Sequence, residues 1–157
     1  PKSFCMKRFW LFKSDVEDYP LAQFIKDKKT AWEGVRNYQA RNFMMKDMQV
    51  GDRGLFYHSN AEPSAAVAVL EVCALAAPDK LQFDKKSDYY DEKSTTQKPR
   101  WFCVDVRYIE SFKSPVTLEF IRLEKELQSM QLLRKGNRLS ILPLSEKEFK
   151  KILKTKI

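Results

Sequence analysis

The side chains with chemistry to offer crowd into one stretch of this chain. Trp32, Arg36, Asn37, Tyr38, Gln39, Arg41 and Asn42 fall within eleven positions, and an apolar run follows that ends on His58, Ser59 and Asn60. Trp32 and Tyr38 supply flat faces, while Asn37, Gln39 and Asn42 supply donor and acceptor edges. That mixture suits a planar polar ring, whose face can be stacked while its edge is hydrogen-bonded. Burying so many amides and guanidiniums without a guest is costly, because each unpaired group loses its hydration. The stretch therefore reads as a binding site.

Other chemistries find little support. The four glycines (Gly34, Gly51, Gly54, Gly136) form neither GxGxxG nor GxxxxGKS/T, which excludes phosphate-cradling loops of those kinds. His58 is the single histidine, and Cys5, Cys73 and Cys103 lack CxxC spacing, so no zinc-ligand set stands out. A Cys–His dyad would need distant residues to meet in space, with no local pattern in support. His58 either lines the site or is a satisfied strand histidine. The acidic residues lie mostly in loops and on helix surfaces, so no catalytic pair of carboxylates is nominated. No catalytic residue, metal or cofactor is expected.

A length of 157 residues predicts one domain, 1–157, large enough for a hydrophobic core. With 43% hydrophobic and 13% aromatic residues the chain is expected to fold into a globular unit. Lys+Arg total 29 against 21 Asp+Glu, a net charge of +8. That balance favours a polyanion such as nucleic acid, through counterion release, or an acidic membrane surface, unless it serves solubility alone. No apolar run is long enough to span a bilayer, and no charged-then-apolar secretory leader is visible. Cys73 and Cys103 lie in apolar strand-like runs, which predicts buried free thiols and a reducing compartment.

The elements that must position the site follow from periodicity. Phe9 to Phe12 is of strand length. Leu21, Phe24 and Ile25 after Pro20 predict a short helix. Ala40, Phe43, Met44 and Met48 mark one face of a helix over 37–48, with Met44, Met45 and Met48 read as core filling. Gly51 and Asp52 turn the chain. Arg53 to His58 alternates as a strand, and Val67 to Cys73 reads as a strand buried on both faces. Residues 78–99 are irregular, a length of loop that is usually functional or partly mobile. Trp101 to Ile109 alternates again, with Phe102, Val104, Val106 and Tyr108 on one face. Ser114-Pro115 is expected to start a helical piece, with Leu123, Leu127 and Met130 continuing the pattern to Gly136-Asn137. Leu139 to Leu142 reads as a last short strand. Ser145 and Glu148 form a capping box, with Leu144 and Phe149 placed as a hydrophobic staple ahead of a terminal helix. Short strands without a βαβ rhythm predict an α+β chain with five or six strands in a closed or half-closed barrel.

Read together, Trp10-Leu11-Phe12-Lys13-Ser14 and Trp32-x-Gly34-Val35-Arg36-Asn37-Tyr38-Gln39-Ala40-Arg41-Asn42 resemble the EVE domain family of the PUA-like superfamily, related to the YTH domains. The likeness continues through Gly51-Asp52, Phe56 to Asn60, Pro78-Asp79, Gln82-Phe83-Asp84, Tyr89-Tyr90-Asp91, Pro99-Arg100-Trp101, Val104 to Val106 and Leu139 to Leu144. The resemblance implies a PUA-like pseudo-barrel of mostly antiparallel strands with peripheral helices. It also implies a nucleic-acid-binding role in which a modified base enters an aromatic and polar pocket. EVE domains are associated with modified cytosine in DNA, including 5-methylcytosine and its hydroxymethyl form, and bacterial members with RNA as a further option. The compact single-domain length fits a bacterial member, for which a cytoplasmic location is expected, with a nuclear one if the chain is eukaryotic.

Carried over by position, the resemblance places Lys13, Ser14 and Asp15 at the pocket end of the first strand and Trp32 as a cage wall. Asn37 and Tyr38 match the Asn-Tyr pair, Ser59 and Asn60 the end of the pocket-side strand, and Pro99 and Trp101 the entry to the later strand. Ala66 to Val69 stand where relatives usually carry Gly, and the loop Ala61 to Ser64 also departs, so a narrower cavity is expected there. On physical grounds a base would lie against Trp32, or between it and Tyr38 or Trp101, with Arg36, Arg41 and Arg100 holding phosphates. Alternatives stay open for several residues. Trp10 and Trp101 suit strand core equally well, Arg36 and Arg41 can pair with Glu33 or Asp47, and Asn37 can be a helix N-cap. A pocket for a nucleotide-like metabolite, in an enzyme or small-molecule binder, is the competing function.

Overall fold

The structure, a computed structural model, describes residues 7–155. Residues 1–7 read in sequence as a lead-in to the first strand; 1–6 of these, Cys5 among them, lie outside the described residues. Six strands form one sheet: β1 (Phe9–Asp15), β2 (Lys29–Ala31), β3 (Arg53–Ser59), β4 (Ala65–Pro78), β5 (Phe102–Thr117) and β6 (Ile141–Leu144). Their order is β2-β5-β4-β3-β1-β6, antiparallel throughout except for the β1·β3 pair. Four helices accompany them: α1 (Leu21–Asp27), α2 (Tyr38–Asn42), α3 (Leu118–Leu123) and α4 (Glu146–Thr155). This is the expected α+β fold.

Thr30 and Ala31 of β2, at one edge of the sheet, face the same cleft as the end of β1 and Ser140 near the other edge. The sheet therefore curls until its edges flank one opening, while among the described residues no ladder joins β2 to β6. Four register shifts along β4·β5 supply the bending, because a bulge adds local twist. The barrel is half-closed, and its open seam is the cleft.

Period-two alternation sorts the apolar residues into two cores. Trp10 and Phe12 of β1 and Phe56 of β3 join Phe24, Trp32, Leu70, Val104 and Val106 inside the curl. Leu11, Leu55 and Tyr57 point the other way and pack with Phe112, Ile121, Leu142, Phe149 and Ile152. The terminal helix docks there behind the expected capping box. The Glu148 backbone N–H donates to Ser145 Oγ at 3.1 Å and the Ser145 N–H to Glu148 Oε1 at 3.0 Å.

Several expectations are corrected. β5 runs on through Pro115 to Thr117, because Pro115 sits where the register with β4 shifts between Ala66 and Ala68, a place where a missing N–H is tolerated. The helix begins only at Leu118, capped by Thr117, and the chain beyond Leu123 breaks into short 3-10 turns. The helix over 37–48 is α only to Asn42, then widens into a π turn closed by Met48 N–H to the Phe43 carbonyl at 2.9 Å. That turn buries Met44 and Met48 and leaves Met45 exposed. The last strand is Ile141–Leu144, two residues later than its expected start. Among the described residues no helix is long and apolar enough to cross a membrane.

Candidate functional site

A cleft of about 600 Å³ opens between the end of β1, the segment 30–37, Tyr89 and residues 138–140, within the size range of small-ligand sites. Trp32 forms its floor. The indole is 8% exposed and meets Phe12, Tyr19 and Phe56 in edge-to-face contacts at 5.2, 6.4 and 5.8 Å. Its backbone N–H donates to Val104 at 2.9 Å, prolonging the β2·β5 ladder so that the ring enters the curl. Tyr89, 39% exposed, is the most accessible ring on the cleft. Its ring packs on Gly34, where an added Cβ would lie 3.0 Å from Tyr89 Cζ and where φ is +87°.

The polar groups on the cleft differ in how committed they are. Ser14 Oγ donates to the Tyr19 carbonyl at 3.1 Å. Asp15 accepts from the Glu17 N–H at 2.9 Å and from Asn60 Nδ2 at 3.1 Å, and these bonds hold its carboxyl below the ordinary range. Asn37 is the N-cap of α2, its Oδ1 accepting from the Ala40 N–H at 3.0 Å, which leaves the amide nitrogen for a guest. Lys13 is half-buried, and burial lowers its pKa. Burial, seconded by Asp79, raises that of Glu33. Neither side chain has an ion-pair partner among the described residues, and among them no His, Cys, Asp and Glu cluster could hold a metal. Burial pushes the Cys103 thiol up to about 12 and also raises Cys73, so both are held protonated.

Behind one wall stands a ladder of guanidiniums and rings, of which Arg36 and Tyr89 reach the cleft. Arg36 lies 5.4 Å from both the Tyr89 and Trp101 rings, Trp101 stacks on Tyr38 at 4.8 Å, and Arg41 covers Tyr38 at 4.6 Å. Asp79, fully buried, accepts from the Gly34 N–H at 2.8 Å and Arg36 Nη1 at 3.0 Å through Oδ2, and from the Leu81 N–H at 2.8 Å through Oδ1. Buried Gln82 fastens the other end of the loop. Its Nε2 donates to the Asp79 and Trp101 carbonyls, both at 2.8 Å, and its Oε1 accepts from the Arg100 and Trp101 N–H groups. The expected functional or mobile loop 78–99 is thus pinned at both ends and delivers Tyr89 and Leu81 to the cleft.

His58 stands behind the cleft. Its Nε2 accepts from the Leu21 N–H, the first residue of α1, at 3.1 Å. Its Nδ1 is buried beside the Ser14 backbone without a well-formed bond. Burial outweighs the Ser14 backbone and Asp15, and the ring's pKa falls below its ordinary 6.5. Protonation therefore favours the unfolded chain. This contribution to stability is complete above pH 6.5 and is lost as pH falls through the depressed folded value. The denaturation midpoint is expected to drop as pH is lowered from 6.5. His58→Gln keeps an acceptor for Leu21 without titrating and should flatten that slope. Parallel pH profiles for the two proteins would remove His58 as the cause.

The family model described as the EVE domain matches residues 8–155. The chain belongs to the EVE domain family. Chicken and mouse thymocyte nuclear protein 1 are 36% and 35% identical, matched over 92% and 94% of this chain and 66% and 73% of theirs. This EVE domain thus spans about two thirds of the length of such curated relatives. Among solved structures, a protein from Leishmania major superposes with a TM-score of 0.91 at 38% identity, covering 96% of this chain and 95% of that one. The human THYN1 protein in complex with DNA containing 5-methylcytosine superposes at 0.88 with 31% identity, covering 96% and 98%.

In this EVE domain Lys13, Ser14, Asp15, Trp32 and Asn37, nominated for the base pocket, meet on the cleft together with Arg36, nominated for phosphate. The other nominated residues stand elsewhere. Trp10 is core, 1% exposed, its indole N–H donating to buried Asp52 at 3.0 Å. Trp101, 7% exposed, and Tyr38 belong to the supporting ladder, Trp101 Nε1 donating to Asp91 at 2.7 Å. Ser59 pairs with Asp15 across the strands and Asn60 braces it, both outside the cleft lining. Pro99 is off the lining too. Arg41 donates to the Arg100 carbonyl and to Asn42, while Arg100 binds Asp91 and the Tyr38 hydroxyl. Arg36 pairs with Asp79, not with Glu33 or Asp47, the partners offered by the alternative reading of this residue. Residues 61–69 do not line the cleft, so their larger side chains do not narrow it. The residue pattern missed Tyr19, Tyr89 and Arg138. The Tyr89-Tyr90 pair inside a charged loop was the one available signal.

Proposed function

We propose that this EVE domain is a non-catalytic reader that takes one modified base of a nucleic acid, of the 5-methylcytosine kind, into the cleft. The observation that carries this reading is the likeness over almost the whole chain to the human THYN1 protein, whose solved structure is a complex with 5-methylcytosine DNA. The cleft suits such a guest in size and in kind. A pyrimidine lies against Tyr89 above the Trp32 floor. The free Asn37 amide and the Lys13 ammonium donate to its ring acceptors, and a carboxylate such as Glu33 accepts from the exocyclic amine, the usual acidic partner of cytosine.

One accessible ring contributes roughly 1–3 kcal/mol of stacking, and extracting a base from a duplex costs a few kcal/mol. The domain therefore prefers single-stranded or already disturbed substrate. The test compares matched oligonucleotides with and without 5-methylcytosine, bound to wild type and to Tyr89→Ala. Wild type should favour the modified strand, and the variant should bind about tenfold or more weakly. Equal affinity of wild type for both strands defeats the reading, and binding of a free nucleoside without any salt dependence would favour a metabolite pocket instead.

A further inference from the structure

We propose that the loop 134–138 is the phosphate clamp of this domain, gripping the strand beside the base held in the cleft. The inference rests on the reader assignment above and names the group that would hold its backbone.

The guanidiniums of the signature stretch are already engaged. Arg36 is bound to Asp79 and the Tyr89 carbonyl, Arg41 to Arg100 and Asn42, and Arg100 to Asp91. The cleft itself is close to neutral, with Lys13, Arg36 and Arg138 set against Asp15, Asp18 and Glu33. A polyanion is therefore drawn from the rim. The two rims differ sharply. Residues 84–91 mix Lys85 and Lys86 with Asp84, Asp88 and Asp91, whereas residues 131–144 carry Arg134, Lys135 and Arg138 and no acid. All three are exposed, and among the described residues none of their side chains takes a hydrogen bond or ion pair.

The loop is also shaped in advance. Asn137 Nδ2 donates to the Gln131 carbonyl at 2.7 Å, its Oδ1 accepts from the Leu139 N–H at 2.9 Å, and its own N–H donates to the Arg134 carbonyl at 3.2 Å. Gly136 completes the turn at φ +76°, and a Cβ there would meet nothing within 4 Å, so a sugar-phosphate backbone can approach closely. Arg138 and Ser140 line the cleft, and the Ser140 carbonyl accepts from the Lys13 N–H at 2.8 Å. Cations on a rigid turn joined to the cleft lose little freedom on binding.

The test measures binding of a single-stranded 5-methylcytosine oligonucleotide between about 50 and 200 mM salt. Three versions of this chain are compared: wild type, the triple variant Arg134→Ala/Lys135→Ala/Arg138→Ala, and a charge-matched control, Lys147→Ala/Lys150→Ala/Lys154→Ala, on α4. Each phosphate contact contributes about 0.7 to the slope of log K against log salt for a single strand. The loop variant should therefore lose about 2 units of slope and keep its melting temperature. The α4 variant should keep the wild-type slope. An unchanged slope in the loop variant, or equal losses in both variants, overturns the clamp while the reader assignment stands. Wild type that binds no oligonucleotide overturns both.

Discussion

Asp79→Ala is expected to lower stability by about 3–5 kcal/mol, the usual cost of leaving one partner of a buried ion pair alone. In a domain of this size that corresponds to a fall of about 6–20 °C in melting temperature. Asp79 is fully buried, and its two oxygens receive the Gly34 N–H, the Leu81 N–H and the Arg36 guanidinium. Alanine leaves the Gly34 and Leu81 N–H groups without that acceptor and Arg36 without its ion-pair partner, and it loosens the loop that carries Tyr89 from the segment that carries Trp32, the Arg36 bond to the Tyr89 carbonyl remaining. Asp79→Asn removes the charge, keeps one acceptor and turns an N–H2 toward a donor, so an intermediate loss is expected. Urea denaturation of the three proteins checks this. A loss below about 1 kcal/mol for Asp79→Ala would mean that the loop is held by Gln82 alone.

Trp32→Ala is the second change with a large expected effect, because it acts on fold and site together. The indole fills the junction between Phe12, Tyr19 and Phe56, and truncating a buried aromatic costs about 3–5 kcal/mol. The cavity left behind opens into the cleft floor. Loss of base binding in this variant is thus inseparable from loss of fold. Trp32→Phe separates the two. A phenyl ring keeps an aromatic contact with Phe12 and Phe56 and should keep most of the stability, while the deeper, narrower floor weakens binding of the modified base. Calorimetry gives the first quantity and oligonucleotide titration the second. A Trp32→Ala protein that melts with wild type would show that the indole is not part of the core.

Much of this molecule was legible in one dimension because its causes are local. Alternation by two along Arg53 to His58 places Phe56 and Leu55 in opposite cores, and the capping box at Ser145 and Glu148 forms through residues three apart. Asn37 as an N-cap was likewise visible, since the acceptor and the Ala40 N–H are near neighbours. Pro115 shows where local rules fail. Its strand survives because β4 shifts register opposite it, a fact of the partner strand rather than of the residue.

The site divides along the same line. Sequence alone determined the family, an α+β architecture of five or six strands and the concentration of polar and aromatic side chains around Lys13 to Asp15 and Trp32 to Asn37, because strand period and motif composition are properties of short segments. Only the tertiary structure decided which of those side chains face the cleft. Trp10 and Trp101 look alike in sequence to a cage wall, yet Asp52 and Asp91 claim their indole N–H groups. The arginines that promised phosphate contacts are bound by Asp79, Asp91 and backbone carbonyls up to 59 residues away. Charge and aromaticity belong to a residue, but whether they are free to meet a guest depends on which distant partner reaches them first.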